Sequence, residues 1–467
     1  MTRRTRSVLF WVLVALFIVG GVSLILFVIG YRVDFGTMTL EKVGGVFAKT
    51  NTQNYNATLE GKHLTKHYAI PNELFVSGLT PGSYTLDITK DHYVSWKKEF
   101  TVLPNLVTSF KEVMLLPDPL TPTRIFTASS SLASLSLSPD ATRIAYADTI
   151  KHTIISYDLA HKSALYSIKE HAATGFAWLS DNNSFWYESA TQNAPLLIDT
   201  RGATNIQTIF KHSLKGFDVP STLIIHAIYP HPFEPKLIIH TSSGIFAFDP
   251  RAEISTLLAS TDPVTLAVTR SSLYYFDANG RLYSENLITK NPVPTSFAPF
   301  DALASSPHTH WTLLMSPDEN TVAAYDTTHD KLYLGTSAST TLSLVDTDVS
   351  SPSFSPDSKK IAYLKQGIPT LYWIEADEEL RKTPQEIDTL LFGPTFSSFA
   401  WYEDSAHLFG TTVNHTLYFL DTDNRMPLGI TKLAANINYS MYSAGNTMYY
   451  TVGNTLFSIN FDFPARS

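Results

Sequence analysis

SPDATRIAY at residues 138–146 has two counterparts further along the chain, SPDENTVAAY at 316–325 and SPDSKKIAY at 355–363. Ser at the first place, Pro at the second with its φ preset, and Asp at the third describe a type I turn in which side-chain oxygens bind nearby amides. An apolar run follows each turn, so the stretch reads as a strand joiner. A nucleophilic or acid–base role is the competing reading, but three equivalent copies far apart in the chain cannot converge on one substrate.

Fainter copies surround these three. Each unit has an apolar strand often ending in an aromatic, a polar turn, a second apolar strand, a short loop and a third strand commonly closing in Asp. "FAWLSD" (176–181) precedes "SFWYES" and "LLIDT"; "FAWYED" (399–404) precedes "HLFGTT" and "TLYFLDT". Weaker units are "IIHAIYPHP…KLIIH…GIFAFD", "TLAVTRSSLYYFDANGRLY" and "NYSMYSAGNTMYYTVGNTLFSI". Aligned on the turn, the units fall at Pro139, Ser180, Pro232, Val268, Pro317, Pro356, Glu403 and Ser443, a mean spacing of about 43 residues. That period suits a propeller blade of four short strands. A single blade cannot bury both faces, so blades stack radially and inner strands such as "RIAYA" and "KIAYL" are apolar on both sides. The last unit stops after its third strand, and "PTRIFTA" (122–128) is a spare strand that completes it. The count predicts eight blades, or seven if the unit around Val268 is irregular.

These units resemble the WD40-like PD40 repeats of the TolB family, whose signature runs Ser-Pro-Asp-Gly-x-x-Ile-Ala-Phe/Tyr. The family glycine is replaced by Ala141, Glu319 and Ser358. The resemblance covers about residues 120–463 and implies a β-propeller domain over 120–467; it implies no particular activity, because propellers host many.

The N-terminus is of another kind. Val8 to Gly30 carries no charge and is long enough, as a helix, to cross a hydrocarbon core of roughly 30 Å. A cleaved signal peptide has a shorter apolar region and a small-residue cleavage site, which "FVIGYRVDF" does not offer. Arg3, Arg4 and Arg6 precede the span, whereas Arg32 beyond it is balanced by Asp34. The positive-inside rule puts residues 1–7 in the cytoplasm, 8–30 in the lipid bilayer of the cytoplasmic membrane and 31–467 outside the cytoplasm.

Residues 44–116 alternate and turn repeatedly. "YNATLEGKHL" enters a Glu60-Gly61 turn, "YTLDIT" and "YVSWKKEFTVL" read as a hairpin, and Pro81-Gly82 presets a reversal in which Gly82 takes positive φ. Pro81, Gly82, Tyr84, Leu86, Ile88, Lys90, Tyr93 and Trp96 resemble the PEGA domain, a small β-sandwich of envelope proteins. His92 stands where that family has glycine, and Thr52-Gln53-Asn54-Tyr55 replaces its naming tetrapeptide, with Asn54 able to adopt a glycine's positive φ. The whole therefore reads as all-β: a transmembrane helix, a PEGA-like sandwich and a TolB-like propeller.

Composition supports this and narrows function. Hydrophobic residues make up 44% and charged residues only 16%, with 34 Lys and Arg against 42 Asp and Glu. Beyond the three leading arginines the balance is 31 against 42, and without a basic cluster nucleic acid is excluded as a partner. Cysteine is absent, which rules out disulfides, thiolate metal sites and cysteine nucleophiles. No Gly-x-Ser-x-Gly occurs, so the nucleophile elbow of an α/β-hydrolase is missing. Asp421-Thr422-Asp423-Asn424 and Asp346-Thr347-Asp348 alternate like calcium loops but lack the glycine and distant glutamate, and read as strand-end turns.

His308-Thr309-His310 would set two imidazoles on one strand face, with His171, His231 and His240 in or beside loops. Loops entering the innermost strands carry Glu170, Asp262, Asp301 and Asp346, the carboxylates a pore-centred hydrolase of envelope sugars would need. The sequence thus predicts no catalytic residue, no cofactor and no metal. It offers His171, Asp262, His308, His310 and Asp346 as loop candidates for noncovalent binding of an envelope protein or cell-wall glycan. The alternatives are that hydrolase and a purely structural surface scaffold.

Overall fold

The computed structural model describes residues 3–28, 30–34, 39–64, 71–130, 132, 135–170, 173–189, 192, 194–199, 202–220, 222–289, 291–293, 300, 310–336, 341–443 and 446–461. Helix α1, Arg3–Val28, contains the uncharged run from Val8 to Val28; its apolar length is sufficient to cross a membrane and its span Thr5–Leu26 is not buried against the rest of the chain. A short hairpin, Tyr31–Asp34 with Thr39–Lys42, follows it.

Residues 44–113 form two packed sheets. Gly44–Thr50 pairs antiparallel with Glu73–Leu79 and parallel with Val107–Val113, while Asn56–Leu59, Gly82–Thr89 and Trp96–Val102 form an antiparallel sheet edged by Lys62–His63. Strict alternation in Trp96–Val102 sends Trp96, Phe100 and Val102 inward, where Trp96 and Phe100 both meet Phe110 edge-on. Asn54 has the expected positive φ of 57°, and His92 has 62°. Gly82 differs from expectation: it begins its strand without a positive φ, and the left-handed residue is Gly78 at 79°. Gly78 is left-handed because it is the extra residue of a bulge: Gly44 faces Leu79 and Gly45 faces Ser77.

From residue 123 onward the described residues form eight four-stranded antiparallel sheets. Sheets 1 to 7 occupy residues 135–169, 173–205, 225–259, 265–293, 311–346, 349–389 and 396–434 in chain order. Sheet 8 takes three strands from 439–460 and its fourth, Thr123–Thr127, from the start of the region, paired antiparallel with Thr455–Asn460. All eight aligned turn positions fall at the junction of a first and a second strand, and the unit around Val268 is a four-stranded sheet like the others.

Each neighbouring pair of sheets shares one apolar cluster, and the ring is complete: Ile144 and Tyr157 of sheet 1 pack against Tyr449 and Leu456 of sheet 8. The chain is therefore a β-propeller. "RIAYA" and "KIAYL" are second strands, flanked within the sheet by two strands and covered on both faces by neighbouring sheets, and they are almost wholly buried. Trp178 and Trp401, at matching places in sheets 2 and 7, each donate an indole N–H to a first-strand carbonyl of the preceding sheet, Ser136 at 3.0 Å and Ser353 at 3.1 Å.

One helix interrupts the pattern and was not evident from strand periodicity. Helix α2, Ile206–Ser213, joins sheets 2 and 3; Asn205 caps it by accepting from the Thr208 amide, and Ile206, Ile209 and Phe210 fill the cluster between those sheets.

The three Ser-Pro-Asp turns are alike in detail. The residue after Asp donates its amide to the Ser carbonyl (2.8–2.9 Å), and the Ser hydroxyl donates to the Asp carboxylate while accepting the amide of the residue five places on. The residue after Asp is left-handed each time: Ala141 (56°), Glu319 (61°) and Ser358 (65°).

Candidate functional site

In a four-stranded meander, the turns between strands one and two and between three and four lie at one end, and the remaining loops lie at the other. The Ser-Pro-Asp turns thus mark one face of the propeller. The small sandwich docks on that face. Lys98, fully buried, donates to the carbonyls of Asp423 (2.8 Å) and Arg425 (3.0 Å), in the loop between the third and fourth strands of sheet 7, and pairs with Asp421, the last residue of the third strand, at 3.2 Å. From the same loop, Arg425 lies 3.9 Å over the Phe110 ring, donates to the Ser109 carbonyl and is held by Asp423. Lys111 reaches Glu379 in the corresponding loop of sheet 6. The alternating carboxylates of 421–424 are consequently paired with Lys98 and Arg425. Consecutive leucines bind the two bodies covalently, Leu115 in the sandwich core and Leu116 in the cluster between sheets 7 and 8.

The opposite face carries the loops that do not repeat, and Asp262, Asp346 and His310 sit on its side. Asp346 closes the fourth strand of sheet 5 and is bound by Lys365 at 2.6 Å and Tyr363 at 2.8 Å, both on the second strand of sheet 6. Burial acts to raise the Asp346 carboxyl, but the Lys365 ammonium and the Tyr363 hydroxyl outweigh it and leave the group below the ordinary carboxylate range. Glu170 plays the same part for sheet 2, accepting from Ser189 at 2.7 Å and Tyr187 at 3.4 Å. Burial and the neighbouring Glu170 push the Tyr187 hydroxyl up. Both carboxylates tie the end of one sheet to the second strand of the next, and they serve different pairs of sheets. His310 precedes the first strand of sheet 5, its carbonyl accepting from the amide and hydroxyl of Thr327. His171, His308 and Asp301 lie outside the described residues.

Asp262 is the candidate that gains partners. It stands in the connection from sheet 3 to sheet 4, and its Oδ1 lies 3.2 Å from His240 Nε2 and 3.9 Å from His226 Nε2. His240 lies next to the end of the second strand of sheet 3 and is buried; His226 lies in the first strand, half-exposed like Asp262. A bulge brings them together. Ile225 faces Thr241 and Ala227 faces His240, so His226 is the extra residue, and its ring centre lies 4.9 Å from that of His240. One donor atom from each of the three lies within 4.8 Å of the others, the sole such His/Cys/Asp/Glu group among the described residues. The sequence singled out Asp262 and noted His240 but missed His226. Its trace was the doubled "IIH" of "IIHAIYP" and "LIIH", a histidine in each of two apolar strands; the bulge that aligns them leaves no mark in the pattern.

No family model matches the sequence, and no curated protein matches it. Among solved structures, the chain is similar to the Dos1 propeller (12% identity, 73% of this chain and 95% of that chain covered, TM-score 0.47) and to the computationally designed Ika8 protein (12%, 72% and 99%, 0.45). It is also similar to the β-propeller domain of Cps50 (Swd1) from Myceliophteria thermophila (11%, 73% and 99%, 0.41).

Proposed function

We propose that this protein is a membrane-anchored, extracytoplasmic binding scaffold whose propeller holds an envelope protein or glycan on the face opposite the small sandwich. The observation that carries this reading is the docking itself: Lys98, Arg425 and Leu116 fix the sandwich against the Ser-Pro-Asp face at sheets 6 and 7, so the non-repeating loops are turned away from it. Ile150, Ile224, Leu391 and Val413, each more than half exposed, lie in loops on that free side and supply apolar contact surface. The anchor reading is supported by the uncharged length of α1, and the extracytoplasmic reading of the body by the arginines before it, through the positive-inside rule. In this reading the sandwich is a PEGA-like spacer and the ring a TolB-like propeller, with glycine positions of both families held at positive φ by His92, Ala141, Glu319 and Ser358.

The test is site-specific photo-crosslinking in intact cells. A crosslinker at Ile150 or Leu391 is expected to capture a discrete protein or wall fragment, and one at Asp140 on the opposite face is not. Equal yields from the two faces, or none above a mock control, would overturn the assignment. Protease added to cells with an opened outer layer and an intact inner membrane should digest the body; full protection would refute the topology.

A further inference from the structure

We propose that His226, His240 and Asp262 form a binding site for one transition-metal ion of the zinc class. The donor set is right for it: two neutral imidazoles and one carboxylate are borderline ligands that suit Zn²⁺ and its neighbours better than the all-oxygen shells of calcium or magnesium. The geometry is close as well. With metal–ligand bonds of 2.0–2.1 Å and tetrahedral angles, donor atoms sit about 3.3 Å apart. The separations from Asp262 Oδ1 to the imidazole nitrogens are 3.2 and 3.9 Å, on either side of that value. Drawing His226 inward by roughly half an ångström brings its Nε2 to that spacing from Asp262 Oδ1, and as a half-exposed residue on a bulge it has the room to do so.

Simple hydrogen bonding explains the His240–Asp262 contact but not the third member. An ordinary strand register would place the residues on either side of a given position on the other face of the sheet. The extra residue at 226 breaks that alternation and sets the second imidazole 4.9 Å from the first, centre to centre. Two imidazoles and a carboxylate converging from two strands and an inter-sheet loop have a common use in metal ligation, and three protein ligands leave a fourth position for water. The half-exposure of His226 and Asp262 leaves that position facing solvent. Bound metal would tie the loop from sheet 3 to sheet 4 back onto sheet 3. The proposal does not depend on what the free face binds.

Full-length protein in detergent, stripped with chelator and titrated with Zn²⁺, is expected to bind one ion per chain. Cobalt substitution should give the intense visible bands of a four-coordinate site. His226→Gln, at a half-exposed position where folding is not at stake, should weaken binding at least tenfold and abolish those bands, and Asp262→Asn should do likewise. His329→Gln, which removes an exposed histidine paired with Asp326 elsewhere on the ring, should leave both unchanged. The proposal is overturned if stripped protein takes up no stoichiometric zinc, or if His226→Gln binds it as tightly as the unaltered chain.

Discussion

At the scale of single residues, the position after each Ser-Pro-Asp explains why glycine is absent from a left-handed turn that would favour it. Glu319 of sheet 5 accepts from Thr269, Ser271, Ser272 and Tyr274, all of sheet 4. Ser358 of sheet 6 accepts the Asp318 amide of sheet 5 at 3.0 Å, and Ser405 of sheet 7, also left-handed, accepts the Asp357 amide of sheet 6 at the same distance. Asn182 does the same for Asp140 at 3.1 Å. A side chain here fastens one sheet to the one before it, which offsets the steric cost of positive φ. Ala141 has no polar atom to contribute. Ala141→Gly should therefore stabilise the protein by roughly 0.5–1 kcal/mol, because it relieves a left-handed alanine and loses no bond. Glu319→Ala should destabilise it by about 1–3 kcal/mol, since four donors lose their acceptor. Chemical denaturation of the two variants reads both signs; destabilisation by Ala141→Gly would contradict the account.

At the scale of an element, the turn of sheet 7 holds a buried ion pair. Asp404 takes the place of the Asp in the Ser-Pro-Asp turns, caps the Ala406 and His407 amides and contacts His407 Nδ1 at 2.6 Å, while the imidazole stacks on Phe419. Burial pushes the Asp404 carboxyl up and the His407 imidazole down; the contact between them overrides both, so the carboxyl lies below and the imidazole above its ordinary value. The raised imidazole stabilises the fold fully below its unfolded value of about 6.5, and that share is lost as pH rises through the higher folded value. The lowered carboxyl stabilises above about 3.9, and its share is lost as pH falls through the lower folded value. Thermal stability should thus be greatest between about pH 4 and 6.5 as far as this pair decides it. His407→Leu should cost about 3–5 kcal/mol by stranding Asp404, and adding Asp404→Asn should recover part of that. Melting curves from pH 4 to 9 test the first statement, where a flat profile identical to that of the double variant would contradict it.

At the scale of the whole molecule, a buried cation and a leucine step join the sandwich to the ring. Lys98→Ala leaves Asp421 and two carbonyls at the interface without their partner, which should cost about 3–5 kcal/mol. The expected result in calorimetry is a single transition splitting into two, with new protease cleavage near residues 114–122; one unsplit transition would show that the Lys98 contacts do not couple the domains.

Much of this was legible in local chemistry. Pro139 and Asp140 specify their turn wherever the chain goes, the alternation of Trp96 to Val102 specifies a half-buried strand, and the roughly 43-residue period specifies repeated sheets. The spare strand at 123–127 was legible for the same reason, as a unit lacking one strand at the other end implies its donor. Apart from that closing strand, which was inferred by counting strands, these signals lie within about 45 residues, where sequence distance still tracks spatial distance. What tertiary structure alone decided is everything that depends on a distant partner: Lys98 sits on the inward side of its strand with no local partner until residues 421–425 supply one, and the bulge opposite Gly44 makes Gly78 left-handed. His226, His240 and Asp262 come from two strands and a loop, and one inserted residue in a strand register brings them together. A repeat pattern records how each unit resembles the others, whereas a site is made where one unit departs from them.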